Sequence, residues 1–365
     1  MAGDMNGAKP IVSALALLLS AAAVSCEKEK SSSEQEAVVA ADAAAAAVDP
    51  NLAEALAEVG TTAPQKSAPD AADGGPPPSG VFAPGQADKE AAADAVRLVI
   101  GDTGSAPRVR LDQPPLGPGA KVSSDIELQL QSGPRQGLPP LKIRLAFTAK
   151  KPTQAAEGAP ERTEITAQIV SSDVPDVGMP VPAELRAQLA KLKGSRIEYE
   201  VDAGSGPKHF SYELAAGAPA GLDNPMRGLT EVVAAQALPY PAEPVGRGAY
   251  WMITRREQIG GLDVVAYRMV KVEALDGERA TLSLVTKRYA AEPQLKLPGL
   301  PSDRQLVLQE FGYPAEGRLE LVSGESIPER MQIQQALDAL LVPVDQPEQR
   351  MAVQSQSRAM MTAVR

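Results

Sequence analysis

The chain has 365 residues, of which 44% are hydrophobic and only 3% aromatic, and its formal net charge is −10 at pH 7. Most of this negative charge lies between residues 27 and 90, and the rest of the chain is close to neutral. Binding to a phosphate backbone requires a basic surface, so nucleic acid is excluded as a predicted partner. One cysteine and one histidine exclude a disulfide framework and leave too few ligands for a zinc site of the usual kind. We therefore predict no metal and no cofactor.

The chain begins with a short apolar run, Ile11–Leu19, followed by small residues up to the sole cysteine, Cys26. The run is shorter than the ~20 residues of a membrane-spanning helix and is typical of an export signal. The sequence Ala23-Val24-Ser25-Cys26 resembles the lipobox of bacterial lipoproteins. That resemblance implies a signal peptide at residues 1–25 and fatty acyl chains, such as palmitate, on Cys26. Two alternatives stay open: an ordinary secretory signal cut after Ala23, and an uncleaved anchor.

Lipidation at Cys26 places the mature protein in the bacterial cell envelope. Two or three acyl chains hold a protein firmly to a membrane, whereas one chain holds it only marginally. We therefore expect a lipid-anchored protein, at the outer membrane and facing the periplasm or the cell surface. Its predicted partners are the membrane and a lipid or a protein of the envelope.

Residues 26–91 have the composition of a low-complexity acidic tether. Between residues 27 and 90 the chain has twelve acidic and four basic side chains, and its only aromatic residue there is Phe82. Such a segment buries too little apolar surface to offset the entropy lost on ordering. We predict that it is flexible and can be shortened without unfolding the domain that follows.

Residues 92–343 are predicted to form a β-rich globular domain. The clearest runs of alternating apolar and polar residues are Asp125–Gln131, Leu141–Phe147 and Glu164–Ile169. A period of two residues indicates strands with one buried face and one solvated face.

A first amphipathic helix is predicted after Pro182, ending at Gly194. Its apolar stripe consists of Leu185, Leu189 and Leu192, at the i, i+4 and i+7 spacing of one helix face. A second helix is predicted from Asn224, which caps it, with Pro225 at its first position, and it ends before Pro239.

Antiparallel hairpins dominate the second half of the domain. Val264–Leu275 and Arg279–Tyr289 are joined by a turn at Asp276-Gly277, a typical hairpin signal. Gln305–Phe311 and Gly317–Val322 form a second predicted hairpin, joined through Gly312-Tyr313-Pro314.

The pattern after residue 328 allows two interpretations. Met331 and Ile333 alternate like a strand, whereas a group of leucines has the spacing of a helical turn: Leu337, Leu340 and Leu341. Residues 344–365 are predicted to be either a last strand or a flexible tail.

The sequence Pro-Val-Gly-Arg-Gly-Ala-Tyr-Trp at residues 244–251 follows the second amphipathic helix. In this setting it resembles a group of tethered bacterial envelope lipoproteins with an antiparallel sheet domain. The resemblance covers about residues 120–325. It implies a mainly β (α+β) fold: a large curved antiparallel sheet or half-barrel with two amphipathic helices packed on it, similar in outline to periplasmic lipoprotein carriers. It implies no catalytic residues.

No catalytic residue is predicted from the motifs. His209 has no carboxylate at a motif spacing, and the sequence contains no Gly-x-Ser-x-Gly elbow. Asp102-Thr103-Gly104 resembles the triplet of aspartic proteases, which need two carboxylates close together. A second such triplet is absent from the sequence, and the alternative is a turn at the end of a strand.

Six residues are predicted to wall an apolar ligand pocket between sheet and helices, with ordinary core packing as the alternative. They are Tyr240, Tyr250, Trp251, Leu185, Leu189 and Val232. Ligand pockets are concave and mostly apolar, which is the reason for this prediction. The predicted function is a non-enzymatic, membrane-anchored envelope lipoprotein that binds a hydrophobic ligand or a protein partner. The alternative is an envelope hydrolase that acts on polymers or peptides through unrecognised carboxylates.

Overall fold

The computed structural model describes residues 77–92, 95–133, 136–137, 139–153, 161–175, 181–202, 206–259, 262–295 and 306–364. The predicted signal peptide, Cys26 and residues 26–76 of the predicted tether lie outside these ranges. The described helices are α1 (Ala87–Glu90), α2 (Ala183–Ala190) and α3 (Asp223–Gln236).

The described strands are β1 (Val96–Asp102), β2 (Ser105–Val109), β3 (Lys121–Ser132), β4 (Gln136–Gly137), β5 (Leu141–Ala149), β6 (Arg162–Asp173), β7 (Arg196–Asp202), β8 (Gly206–Glu213), β9 (Val245–Arg247), β10 (Tyr250–Ile259), β11 (Leu262–Asp276), β12 (Arg279–Ala290), β13 (Gln294–Leu295), β14 (Leu306–Gly312), β15 (Ala315–Val322), β16 (Arg330–Pro343) and β17 (Met351–Val364).

One large antiparallel sheet contains fifteen of these strands. Its main path runs β1-β10-β11-β12-β15-β16-β17-β3-β5-β6-β7-β8, and it curls until it is nearly closed. Strands β1 and β8 are therefore the two edges of the path. The prediction of a mainly β fold with a large curved antiparallel sheet and few helices is confirmed.

Alternating burial along the strands explains why these segments form a curved sheet. In β5, Leu141, Ile143 and Leu145 are buried, whereas Lys142 and Arg144 between them are exposed. The buried side chains of neighbouring strands meet on the inner face of the sheet. There they form the main core, an apolar cluster that extends from β3 and β5 across to β10, β11 and β12.

The hairpin of β11 and β12 turns where the sequence predicts it. Asp276 pairs with Arg279, so Gly277 and Glu278 form the two-residue loop. Gly277 has a φ of +58°, a left-handed conformation that glycine adopts without steric cost.

Helix α3 packs its apolar side against the sheet. Its buried residues include Met226, Leu229, Val232 and Val233, and its strand contacts are with β3, β8 and β16. Its predicted start at Pro225 is wrong by two residues, and the predicted side-chain cap is absent. A 3₁₀ turn, Ala220–Leu222, runs directly into the helix, so no extended capping residue precedes it.

Helix α2 lies beside β6, as a short helix followed by turns. Leu189 and Leu192 are buried and Leu185 is half-buried, so the predicted stripe faces the protein. The Ser172 hydroxyl on β6 donates to the Leu189 carbonyl at 2.9 Å and fixes the helix on the sheet.

The C-terminal region is a pair of long strands, which resolves both open interpretations in favour of β structure. Residues Arg330–Pro343 form the single strand β16, and Leu337 lies within it rather than in a helical turn. Strand β16 pairs with β15 along one half and with β14 along the other. The predicted hairpin of β14 and β15 is therefore wrong, because each of these strands pairs with β16 and not with the other. Strand β17 lies between β16 and β3, so residues 351–364 belong to the sheet and are not a tail.

Residues 77–91 also belong to the folded domain, and we call them the strap. Phe82 is only 1% exposed, and its N–H donates to the carbonyl of Ala290 at 2.9 Å. Helix α1 follows, and Ala87 and Phe82 pack with Tyr267 on the outer face of β11. The predicted boundary of the tether at residue 91 is therefore wrong, because the one aromatic residue of this segment is a core residue.

Glycine is needed where the strap crosses the sheet. Gly80 has a φ of +76°, and a Cβ placed there would lie 1.7 Å from the Phe311 carbonyl oxygen. The Phe311 N–H donates to the Ser79 carbonyl at 3.0 Å, so the two backbones are in direct contact. The strap is thus fixed to β12 and β14 by main-chain hydrogen bonds.

Candidate functional site

The residues predicted to wall an apolar pocket are packing residues in the structure. Five of them lie in or against the main core: Leu185, Leu189, Val232, Tyr240 and Trp251. Trp251 is fully buried, and its Nε1–H donates to the Pro239 carbonyl at 3.3 Å. Tyr250 is half-buried, and a Cβ added at Gly101 would lie 2.0 Å from its ring. None of the six lines either of the two cavities described below.

Neither of the two candidate catalytic motifs of the sequence forms an active site in the structure. Asp102 Oδ1 accepts the backbone N–H of Gly104 at 2.7 Å, which is the geometry of a turn that follows β1. His209 is 46% exposed, and its Nδ1 lies 3.2 Å from Glu200 Oε2. It nevertheless lines a cavity between the edge strands β1 and β8.

A cavity of about 250 Å³ lies where the two edges of the sheet approach each other. We call the line along which the edge strands β1 and β8 approach the seam. Val96 of β1 and Pro207 to Phe210 of β8 line the cavity, and α3 contributes Thr230 and Ala234. Arg255 on β10, next to β1, donates through Nη1 to the Pro207 carbonyl at 3.2 Å and so connects the two sides.

Three arginines on neighbouring strands form the inner wall of this cavity. Arg255 lies on β10, Arg268 on β11 and Arg288 on β12, and each is 3–6% exposed. We call these three residues the arginine layer. They occupy inner-face positions: Trp251, Ile253 and Arg255 follow one another at the two-residue period of a strand. Arg255 and Arg288 both pair in register with Ala266, whose small side chain separates them.

Glu257 binds all three arginines. Its Oε1 accepts from Arg255 Nε at 2.7 Å and from Arg268 Nη2 at 3.3 Å, and its Oε2 accepts from Arg288 Nε at 3.2 Å. Burial alone raises the pKa of Glu257, but the positive charges of the arginine layer lower it well below its usual range. Glu257 is therefore ionised, and both of its oxygens are engaged.

One carboxylate does not satisfy three guanidinium groups. Each guanidinium carries five N–H donors. Within the described part of the chain, Nη1 of Arg268 and Nη1 of Arg288 are buried and have no hydrogen-bond partner. An unpaired buried donor costs ~1–3 kcal/mol, so this wall of the cavity has a deficit of acceptors. Burial lowers the pKa of Arg268 to about 9. The charge of Glu257 opposes this decrease, whereas the charges of the two other arginines add to it. Arg268 therefore stays charged at neutral pH.

A second carboxylate, Glu231 of α3, faces the same cavity. Its Oε2 accepts from Gln335 Nε2 at 2.7 Å and from the Tyr313 hydroxyl. Burial raises the pKa of Glu231, and the opposing charge of Arg288 offsets only part of this increase. Arg288 also stacks on the Tyr313 ring, with 4.7 Å between Cζ and the ring centroid. Three positive charges therefore face at most two negative ones.

The charged wall lies between two apolar regions. On one side is the main core, and on the other is a smaller cluster formed by Val264, Ala290, Leu308 and Phe311 with Tyr313. Apolar side chains pack on both sides, so charges in this wall interact through a medium of lower dielectric constant than water and are less screened by salt.

The alternation of the strands carried a signal that sequence reasoning missed. In β10, β11 and β12 the inward positions are apolar along most of each strand, and each stripe then reaches an arginine. A charged residue at a position where the period of two requires an apolar one marks a buried polar site.

A second depression, of about 400 Å³, lies over β3, β16 and β17. Its lining includes Gln129, Gln334 and Gln356, all exposed, together with Arg358. The charges there are solvated, and Glu316 on the same surface offsets Arg358. It lacks the buried charge that distinguishes the cavity at the seam.

The chain matches no protein-family model and no curated protein at a significant level. Within the residues that the structure describes, no helix has the length and apolar character needed to cross a membrane. The same residues contain no cluster of three or more His, Cys, Asp or Glu side chains arranged to hold a metal ion.

Proposed function

We propose that this protein is a lipid-anchored envelope lipoprotein whose sheet domain binds a small molecule in the cavity at the seam. The observation that carries the proposal is the cavity itself, which lies between two sheet edges and combines a mostly apolar lining with a buried charged wall. Sites for small molecules are concave and apolar with a few convergent polar groups. The lipobox-like sequence at Cys26 supports the anchor.

The size of the cavity limits the ligand. Its volume of about 250 Å³ is below the ~300–1,000 Å³ of pockets that enclose a whole drug-sized molecule. The cavity therefore holds a compact group or one end of a longer molecule. Because the seam lies between two edge strands that do not pair with each other, it offers an exit for an attached chain.

The proposal is tested by calorimetric titration of the mature protein with four octyl compounds that differ only in the head group: octanol, octanoate, octyl phosphate and octyltrimethylammonium. We expect at least one of them to bind with a stoichiometry of one. Ala234→Phe, which fills the cavity from α3, should abolish that binding. The matched control is Ala187→Phe, at an exposed position of α2. Failure of all four compounds to bind the native protein would contradict the proposal.

Hydrolysis is a second candidate, because two carboxylates of one cavity have pKa values moved in opposite directions. Such a pair is typical of an acid and a base or nucleophile. Against this candidate, both oxygens of Glu257 are held by arginines and none is available to attack a substrate. Incubation with purified peptidoglycan and with peptides tests it: the binding proposal predicts no cleavage, and cleavage that Glu231→Gln abolishes would establish the hydrolase.

A further inference from the structure

The unsatisfied donors in the arginine layer indicate the chemistry of the ligand. Arg268 and Arg288 both line the cavity, and the Nη1 atom of each is buried without a hydrogen-bond partner in the described part of the chain. Natural proteins satisfy nearly all buried polar groups, so two unpaired donors on adjacent strands require an explanation. An acceptor supplied from outside the chain is the simplest one.

The charges of the wall require that acceptor to be an anion. Glu257 offsets one of the three guanidinium charges, and Glu231 offsets at most one more. A neutral acceptor satisfies the N–H groups but leaves the excess positive charge in a site of low dielectric constant. An oxyanion satisfies both, and guanidinium groups bind carboxylate and phosphate oxygens with well-defined geometry.

Most of the surface that lines the cavity is apolar, although polar side chains such as Lys208 and Gln258 also line it. The apolar part includes Val96, Phe210, Ala234 and Ile259. A fully polar ligand, such as a sugar phosphate, would leave its hydroxyl groups against these side chains without partners. An alkyl or acyl chain suits this surface.

We propose that the cavity binds an amphiphile with an oxyanionic head, a carboxylate or a phosphate, which accepts hydrogen bonds from Arg268 and Arg288 while its apolar chain leaves through the seam. This inference rests on the ligand-binding function proposed above. Because both Nη1 atoms are covered in this structure, the entering oxyanion draws at least one guanidinium group toward the cavity.

The basic residues of the rim fit this assignment. Lys208 lies at the mouth of the cavity, 2.5 Å from Asp202, and His209 is beside it. Lys208 is thus already paired with Asp202 and does not fix the head of the ligand. The tight site is the buried wall, where screening by salt is weakest.

Calorimetric titration of the mature protein with octanoate, octyl phosphate, octanol and inorganic phosphate tests the inference without any mutation. We expect octanoate or octyl phosphate to bind at least about tenfold more tightly than octanol, since hydrogen bonds to charged groups are roughly twice as strong as neutral ones. The better of the two acids identifies the head group. Inorganic phosphate should bind more weakly than octyl phosphate, because it lacks the chain.

Arg288→Gln should reduce the affinity for the preferred acid about tenfold and leave that for octanol unchanged. The matched control is Arg279→Gln, at the exposed end of the same strand, β12. Arg288→Lys, which retains the charge, should bind with intermediate affinity. If Arg288→Gln does not fold, the comparison of head groups on the native protein still tests whether the ligand has an oxyanionic head.

Each other result has a defined meaning. Octanol bound as tightly as the acids would overturn the oxyanionic head but leave ligand binding at the seam intact. Inorganic phosphate bound as tightly as octyl phosphate would overturn the amphiphile. No binding by any of these compounds or by the octyl cation would overturn both this inference and the function on which it rests.

Discussion

The same three strands, β10 to β12, contribute to two regions of opposite character. In the main core their inward side chains are apolar, with Trp251, Val270 and Leu284 fully or almost fully buried. Further along the same inner face, Arg268 lies one row away and Arg255 and Arg288 lie two rows away, around Glu257. The backbone, register and burial are alike in both regions, so the difference lies only in which side chains occupy the inner face.

The main core and the arginine layer contribute differently to stability and to function. Burying apolar side chains stabilises the fold by ~25 cal/mol per Å². A buried ion pair is weak evidence for stability, because the cost of desolvating its charges offsets most of their attraction. The arginine layer also has unpaired donors, which cost stability. Its arrangement is therefore better explained by ligand binding than by stabilisation of the fold.

The largest expected effect is that of Glu257→Gln. This change leaves three buried guanidinium groups without their shared carboxylate and should lower the free energy of unfolding by ~3–5 kcal/mol. Denaturant unfolding monitored by Trp251 fluorescence measures it. The matched control is Glu127→Gln on β3, whose partner Lys142 is 3.6 Å away at an exposed site, with an expected loss below ~0.5 kcal/mol. Equal losses in the two variants would mean that the arginine layer does not depend on Glu257.

The second-largest expected loss of stability comes from a substitution that creates a cavity in the main core. Leu284→Ala should destabilise the protein by ~3 kcal/mol, because the fully packed surroundings collapse only partly around the missing atoms. Affinity for the acids at the seam should not change. Val99→Ala, at a position that is 53% exposed on β1, is the control and should be nearly neutral. A loss of ligand affinity in Leu284→Ala that exceeds its loss of stability would show that the two regions are not separable.

A substitution in the strap should cause a smaller loss of stability. Phe82→Ala should cost ~2 kcal/mol, near the low end for a buried residue, since the cluster of Phe82, Ala87, Ala91, Val265, Tyr267 and Ala291 is small and can relax. Thermal unfolding measures it, with Lys89→Ala on the exposed side of α1 as the control. An unchanged melting temperature for Phe82→Ala would support the sequence-based boundary at residue 91.

The smallest effect depends on pH. The folded-state pKa of Glu231 is raised above its ordinary value of 4.5, so the native state binds its proton more tightly than the unfolded state does. Stability therefore falls as pH rises from about 4.5 toward the folded-state value. Glu231→Gln should remove this loss, so that the variant exceeds the native protein in stability near neutral pH and approaches it below pH 4.5.

The contribution of Glu257 to stability should depend on pH in the opposite direction. Its folded-state pKa is lowered, so its contribution is fully present above its ordinary value of 4.5 and is lost as pH falls through the folded-state value. Unfolding of the native protein and both variants at several pH values separates the two carboxylates. Parallel curves for Glu231→Gln and the native protein would show that Glu231 is not desolvated.

Most of the fold followed from residue patterns. The alternation in β3, β5 and β6 and the turn at Asp276-Gly277 depend on local chemistry, and the structure has them as expected. The last strands were ambiguous, because Leu337 and its neighbours have a spacing that suits a helix. Pairing with β14 and β17 decides that they form a strand, and pairing between distant segments leaves no local trace.

The candidate site was not predictable in the same way. It depends on three arginines separated by 13 and 20 positions, on a glutamate of a helix and on the approach of two edge strands. Each arginine stands at an inward position of its own strand, but the alternation within one strand does not show that the three lie close together. Only the register of β10 to β12 shows that all three face inward beside Glu257.

An acidic head group bound at the seam should reach Arg268 and Arg288. Nitrogen NMR of the arginine side chains, assigned with Arg→Lys variants, observes these groups directly during titration with octanoate or octyl phosphate. We expect the Nε signals of Arg268 and Arg288 to shift saturably while that of Arg279, on the same strand as Arg288, stays in place. Saturable binding that leaves both buried arginine signals unchanged would contradict this expectation.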